Sequence, residues 1–463
     1  MTRLFLLLTL SIIFLQPATA QPDPLSSDYK EQAILRLNQL MNERYVFPDV
    51  AKATEAHLLA QWEAGHFDQF TDDHEFAAAL TESVQSINHD KHMRIRVNPR
   101  FVAPPNSVER RIEEQLARMD RSRQANYGFN VVEVLEGNVG YLDLRGFAGL
   151  ENAQAHADAA MALLSRTDAV IFDLRRNGGG SPRMVQYLCS YFFGEHVHLN
   201  SLYWREGDVT EEFWTLDEVG GVKRPDVPLF IMTSGRTFSG AEEFSYNMQT
   251  RERATLVGET TGGGANPGGT MPINENLSVF IPVGRAINPV TQTNWEGVGV
   301  VPEIKVSAEE ALDTTLALAQ AAAEAFRNQQ AQHFTQLLMD LNGEFETYTA
   351  GTTEAAILRR LTTCTEANLL QEGDINSLGY EQLMEHEKPG IAEAIFSANT
   401  QLFPQSPNVY DSYAEALLMN GKVEAAIQSY QRAVDLATEQ EDGNLELFQR
   451  NLANAKSQLE AGE

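Results

Sequence analysis

The apolar positions of this chain change their spacing along its length, and each change marks a different kind of structure. Between residues 28 and 88 they recur at three and four: Ala33, Leu35, Leu37, Leu40 and Met41 alternate with charge, then Phe76, Ala79, Leu80, Val84 and Ile87 follow. That spacing predicts a small helical bundle, closed by Asn88-His89-Asp90-Lys91-His92. Residues 99–125 are polar and charged, with Pro99, Pro104 and Pro105, and read as a connecting segment holding one helix. From Tyr127 the pattern turns to short β-rich runs at Phe129–Leu135, Val139–Leu144, Ala169–Leu174 and Pro228–Thr233. The run from Ala169 is apolar throughout, as a strand covered on both faces should be. Helical stretches near 151–165, 183–193 and 240–250 lie between the strands, which predicts an α/β domain.

After about residue 306 the strands stop. Residues 331–463 hold 7 Lys+Arg against 21 Asp+Glu, and this shift in composition supports a boundary near 306–330. In this tail Tyr410, Tyr413, Ala414, Leu417, Gly421, Ala426, Tyr430 and Ala433 fit a ~34-residue helix-turn-helix repeat. Ala392, Phe396 and Pro404 fit the second half of a preceding one. The tail therefore resembles a tetratricopeptide array from about residue 388, capped by a helix from Leu445 to Leu459; a generic helical hairpin is the alternative. Either way the groove between helices is an expected surface for a protein partner.

The first 20 residues carry Arg3, an apolar run from Leu4 to Leu15, and Ala18-Thr19-Ala20. These are the parts of a secretory signal cleaved after Ala20, and the run is shorter than the ~20 residues that span a bilayer. An exported chain follows, periplasmic or extracellular, with no membrane-spanning segment after cleavage. The expected order is signal 1–20, helical bundle 21–98, connection 99–126, α/β core 127–310 and helical domain 311–463.

Charge and cysteine content narrow the chemistry. The 463 residues carry a net charge of -29, which argues against nucleic acid or an anionic membrane as partner, and steers mildly toward neutral or basic substrates. Cys189 and Cys364 form neither a disulfide framework nor a CxxC pair. His196 and His198 share a strand face, a weak metal signal. No metal or cofactor is expected.

Three segments carry candidate chemistry. In Val170-Ile-Phe-Asp-Leu-Arg-Arg-Asn-Gly-Gly-Gly180 a buried strand runs into a glycine turn whose N–H groups can point at a ligand oxygen; taken alone, a plain strand-to-helix turn explains it better. In Leu229-Phe-Ile-Met-Thr-Ser-Gly-Arg-Thr-Phe-Ser239-Gly-Ala-Glu-Glu-Phe a serine opens a helix, where free amides stabilise an oxyanion. Yet Ser239 and Glu242 also spell a capping box. The third, Asn294-Trp-Glu296-Gly-Val-Gly-Val-Val-Pro302-Glu-Ile, reads as a short strand and turn with one carboxylate beside an aromatic. A serine nucleophile needs a base, and local sequence leaves His92 and His89 both open. Arg175 and Arg236 lie near the serine and could bind a carboxylate or pair an acid such as Glu242.

Taken in order, these segments resemble the serine peptidase superfamily of C-terminal processing proteases, tricorn core protease and interphotoreceptor retinoid-binding protein, above all the last branch. The resemblance covers roughly residues 28–306 and includes Asn126-Tyr-Gly-Phe, Gly137-Asn-Val-Gly-Tyr-Leu, Gly258-Glu-Thr-Thr-Gly-Gly-Gly-Ala and Gly297-Val-Gly-Val-Val-Pro. It implies a β-β-α spiral core similar to those of crotonase and ClpP, and hydrolysis of a peptide or protein substrate. It makes Ser239 the nucleophile, His92 the base, Glu296 the supporting carboxylate, and the N–H groups of Gly179 and Gly240 the oxyanion donors. Two departures stand out. No lysine occurs between Lys223 and Lys305, which excludes the Ser–Lys pair of classical processing proteases, and the span from Arg100 to Tyr127 is too short for their PDZ domain. Lys91 stands where the tricorn branch has a relay serine, so the route from Glu296 to His92 stays open. The rival expectations are an apolar-ligand binder, as among the retinoid-binding relatives, and an adaptor acting through its helical tail.

Overall fold

The structure is a computed structural model that describes residues 25–97 and 108–462; the expected export signal lies outside the described residues. It divides into two units, residues 1–326 and 327–463.

The first unit begins with three helices, α1 (Ser27–Arg44), α2 (Pro48–Glu63) and α3 (Asp73–Asn88). Asp72 caps α3 by accepting from the N–H groups of His74 and Glu75, and His89 ends it in the left-handed region at φ 55°. The bundle does not close there: β1 (Ile95–Val97) leaves it to pair antiparallel with residues 277–279. One helix, α4 (Val108–Gln124), occupies the connecting segment.

The α/β part alternates β2 (Phe129–Leu135), β3 (Val139–Leu144), α5 (Leu150–Leu163), β4 (Ala169–Asp173), α6 (Pro182–Ser190), β5 (His198–Trp204), β6 (Val209–Trp214), β7 (Leu229–Thr233), α7 (Gly240–Thr250), β8 (Thr255–Gly258), β9 (Gly268–Pro272), β10 (Leu277–Pro282), β11 (Gly284–Ile287) and β12 (Ile304–Lys305). Six strands form one sheet in the order β12-β8-β7-β4-β3-β2, parallel except for β2. Strands β4 and β7 are buried along their whole length, which is why their sequences are unbroken apolar runs. One face of the sheet packs Phe172, Leu188, Phe192, Ile231 and Phe244 into the main core; burying each such side chain contributes about 1.5–3 kcal/mol. The opposite face is covered by Ala311, Ala319 and Ala323 at the start of α8 (Ala311–Glu346). A second sheet, β1-β10-β9, closes the helical bundle: Ile95, Leu277, Val279 and Ile281 join Leu37, Phe76 and Leu80 in one core. A third, β11-β5-β6, completes the unit.

The second unit is all helical, with α9 (Glu354–Glu366), α10 (Glu372–Tyr380), α11 (Pro389–Leu402), α12 (Pro407–Met419), α13 (Val423–Glu439) and α14 (Leu445–Gly462). Each layer buries small against large residues, as Ala414, Leu417 and Ala426 do against Tyr430 and Leu452. No helix among the described residues is long and apolar enough to cross a membrane.

Candidate active site

Ser239 sits on a sharp turn between β7 and α7. Two side chains and one amide pin that turn to the end of β4: Ser234 Oγ donates to the Arg175 carbonyl (2.6 Å), Thr237 Oγ1 to that of Leu174 (2.8 Å), and the Phe238 N–H to that of Asn177 (3.0 Å). Ser239, the N-cap of α7 with Glu242 in the capping-box position, has φ 55° and ψ −122°, a strained conformation for a residue with a side chain. Glu242 holds it there: its Oε2 accepts from the Ser239 N–H at 2.8 Å. The same carboxylate, fully buried, accepts from Thr261 Oγ1 (2.5 Å) and the amides of Gly263 (2.6 Å) and Gly264 (2.9 Å). Burial raises its pKa against the pull of these hydrogen bonds. Glu242 therefore ties the serine turn to the 261–264 loop and pairs with neither arginine. Arg175 is bound to Asp173 (2.7 Å) and the Ala308 carbonyl (2.5 Å).

The glycine turn packs directly on the serine. A Cβ on Gly179, at φ +98°, would stand 2.6 Å from Gly240 N and 2.8 Å from Ser239 Cβ, so only glycine fits. The Gly179 N–H, however, donates to Asn177 Oδ1 at 2.8 Å, and it is Gly178, Gly180 and Gly240 that line the cavity beside Ser239. The side chain of Asn177 thus takes the Gly179 amide, while Gly180 N lies 3.0 Å from a Cβ built on Gly240. Gly240 opens α7, so its amide has no partner within the helix.

His92 lines the same cavity, of about 440 Å³, together with Ser239, Gly240, Glu243, Phe280 and Trp295. His89, the alternative base, is the left-handed cap of α3. His92 is reached by a tight turn in which Asp90 Oδ1 accepts the His92 N–H at 3.0 Å. Its ring stacks on Phe280 (5.4 Å between centroids) and tilts against Phe238 (4.6 Å). The side chain is 9% exposed, and Nδ1 is buried without a hydrogen-bond partner. Burial, then the charge of Arg94, pushes the ring down to about 4, which leaves the imidazole neutral near pH 7.

Glu296 lies behind the ring. It sits on a turn in which Asn294 Oδ1 accepts the Glu296 N–H at 2.9 Å and the Gly297 N–H reaches the Gly263 carbonyl at 3.1 Å, and the short strand of this segment, β12, begins only at Ile304. Glu296 Oε2 accepts from the amides of Ala265 (2.6 Å) and Asn266 (3.2 Å), while Oε1 is buried without a partner. Burial, then the neighbouring Asp90, pushes this carboxyl up to about 7. Polar atoms of Asp90, His92 and Glu296 all fall within 4.8 Å of one another. They are, among the described residues, the set whose nitrogen and oxygens could converge on a divalent cation.

Several participants escape the sequence reading. Asp90, itself raised by burial, is held by Asn266 Nδ2 at 2.9 Å across 176 positions of sequence, and no local pattern signals that pair. Trp295 donates to the Gly264 carbonyl at 2.9 Å and walls the cavity. Glu243, fully buried there, is pushed by burial up to about 7. His198 stacks on Trp214 and contacts Ser201 Oγ at 2.9 Å, a packing role rather than a ligand's.

The chain is similar to known proteins. Residues 138–306 match peptidase family S41, and residues 28–127 match the N-terminal domain of peptidase S41 in eukaryotic interphotoreceptor retinoid-binding protein. A carboxy-terminal-processing protease of Bartonella bacilliformis is 23% identical over 177 residues, 37% of this chain and 39% of that protein; the match thus spans well under half of that relative. Among solved structures, a photosystem II D1 C-terminal processing protease aligns at 14% identity and TM-score 0.39, over 60% of this chain and 94% of its own. The tricorn protease aligns at 12% and 0.37, over 65% and 37%. The two family matches follow one another along more than half of the sequence, and the chain belongs to peptidase family S41.

Proposed function

We propose that this chain is an exported serine-type peptidase that cleaves peptide or protein substrates by acyl transfer. His92 Nε2 takes the proton of Ser239 as Oγ attacks the carbonyl carbon. The amides of Gly180 and Gly240 receive the negative charge that forms on the carbonyl oxygen, each such donor being worth roughly 3–4 kcal/mol of barrier. The imidazolium then returns its proton to the leaving amine, and water, deprotonated by the same ring, releases the acyl group from Ser239. Glu296, ionised, balances the imidazolium. The observation that carries this reading is the strained Ser239 at the head of α7, sharing one cavity with a neutral, buried histidine and the glycine amides.

The test is hydrolysis of unstructured peptides together with covalent labelling by a serine-directed fluorophosphonate. Ser239→Ala should abolish labelling and lower kcat by at least about 10³-fold; unchanged turnover would remove Ser239 as nucleophile. The export reading rests on residues 1–20, and the tetratricopeptide reading of the tail rests on its alternation of small and aromatic residues, with a protein partner as its ligand.

A further inference from the structure

Beside the cavity of Ser239 lies another, of about 370 Å³, lined by Lys91, Arg94, Arg96, Gly235, Arg236, Thr270 and Ser278. The two share His92, Phe238 and Phe280 as a common wall. Its floor is the outward face of the β1-β10-β9 sheet. Register pairs Arg96 with Ser278 and Phe280 with Thr270, while the alternate residues Ile95, Leu277 and Val279 point into the helical core. The same outward face continues through Pro282 and Gly268, and Gly268 lines the cavity of Ser239.

Four cations thus converge on one concavity in a chain whose net charge is -29. No carboxylate lines it among the described residues, and none of the four cations forms an ion pair there. Lys91 Nζ is held by the Gly262 carbonyl at 2.7 Å and Arg94 Nε by that of Lys91 at 3.2 Å, which fixes both at the rim. Like charges held together without a counter-ion repel one another, and an anion relieves that repulsion. Arginines meeting hydroxyls (Thr270, Ser278) form a donor set suited to a carboxylate.

We propose that this basic cavity is a substrate subsite that binds a carboxylate of the peptide being cleaved. Gly268 and Thr270 are two positions apart on β9, about 7 Å, so the carboxylate belongs about two residues from the scissile bond of an extended substrate. The local preference is then for acidic substrates, opposite to what the overall charge suggests. The carboxylate has two sources, an acidic side chain or the α-carboxylate of a chain end. This inference rests on the peptidase reading for its substrate.

The experiment measures binding apart from hydrolysis, by fluorescence anisotropy of labelled peptides on the full-length Ser239→Ala protein. One arm compares Glu-containing with Gln-containing peptides, both amidated at the C-terminus; the other compares free with amidated ends of a peptide lacking acidic side chains. In at least one arm the carboxylate form should bind about tenfold more tightly or better, by an amount that shrinks as salt rises. Arg96→Gln with Arg236→Gln, both exposed and without an ion pair among the described residues, should erase that difference. Equal binding within both arms, or a preference that survives the double substitution, would overturn the subsite. Fluorophosphonate labelling of the otherwise wild-type double variant separates this outcome from failure of the peptidase reading, since labelling of Ser239 does not require the subsite.

Discussion

At the scale of single residues, His92 and Glu296 meet with their usual order of acidity reversed: the ring is pushed down to about 4 and the carboxyl up to about 7. From its sequence, loss of activity in mild acid would be assigned to protonation of His92. In the proposed mechanism, burial moves that role to Glu296. A carboxyl raised above its ordinary range gains its proton as pH falls through about 7, and a neutral Glu296 no longer balances the imidazolium formed during attack. Activity should therefore decline below about pH 7 although His92 remains unprotonated. Asp90 is the second cause of the Glu296 shift; removing its charge favours the ionised carboxylate and lowers that pKa. Asp90→Asn should accordingly move the acid limb of kcat/KM to lower pH. Glu296→Gln should remove the limb and cost about 10²–10⁴-fold in rate. A wild-type profile flat from pH 5 to 8, or a limb unmoved by Asp90→Asn, would refute this assignment.

At the scale of elements, the glycine turn after β4 shows how much of the site backbone shape decides. Gly180 has φ +145° and bridges to Phe147; a Cβ there would lie 2.0 Å from the Phe147 carbonyl oxygen. Gly178, two residues earlier, has open space around its Cβ direction. Gly180→Ala should thus destabilise the protein by roughly 1–3 kcal/mol and displace the amide proposed for the oxyanion. Gly178→Ala should stay within about 0.5 kcal/mol of wild type. Denaturant titration of both variants decides, and equal effects would mean the turn is more pliable than its geometry implies. The same comparison marks what the sequence discloses. Strands β4 and β7 are legible because their patterns are local and strongly apolar, and helix α7 because Ser239 and Glu242 mark its start. Strand β1 is not: three residues carry no period, and its partner Val279 lies far along the chain. Likewise the turn around Ser239 is legible from Ser, Thr and Gly at fixed offsets, whereas the choice between Gly179 and Gly180 depends on where the Asn177 side chain points.

On the scale of the whole molecule, two units with separate hydrophobic clusters should unfold as two events. The sequence supplies its own reporter: Trp62, Trp204, Trp214 and Trp295 are its four tryptophans, all in the first unit. Tryptophan fluorescence therefore follows that unit alone, while far-ultraviolet circular dichroism follows the helices of both. Leu361, fully buried beside Ile357 and Ile395, anchors the second unit. Leu361→Ala leaves a cavity that costs about 2–5 kcal/mol, enough to lower the melting of residues 327–463 by roughly 10 °C. The fluorescence midpoint should stay where it is and the circular dichroism curve should split or broaden toward low temperature. If both midpoints fall together, the helical tail and the peptidase fold form one cooperative structure. Loss of the tail would then disarm Ser239 by unfolding rather than by losing a partner.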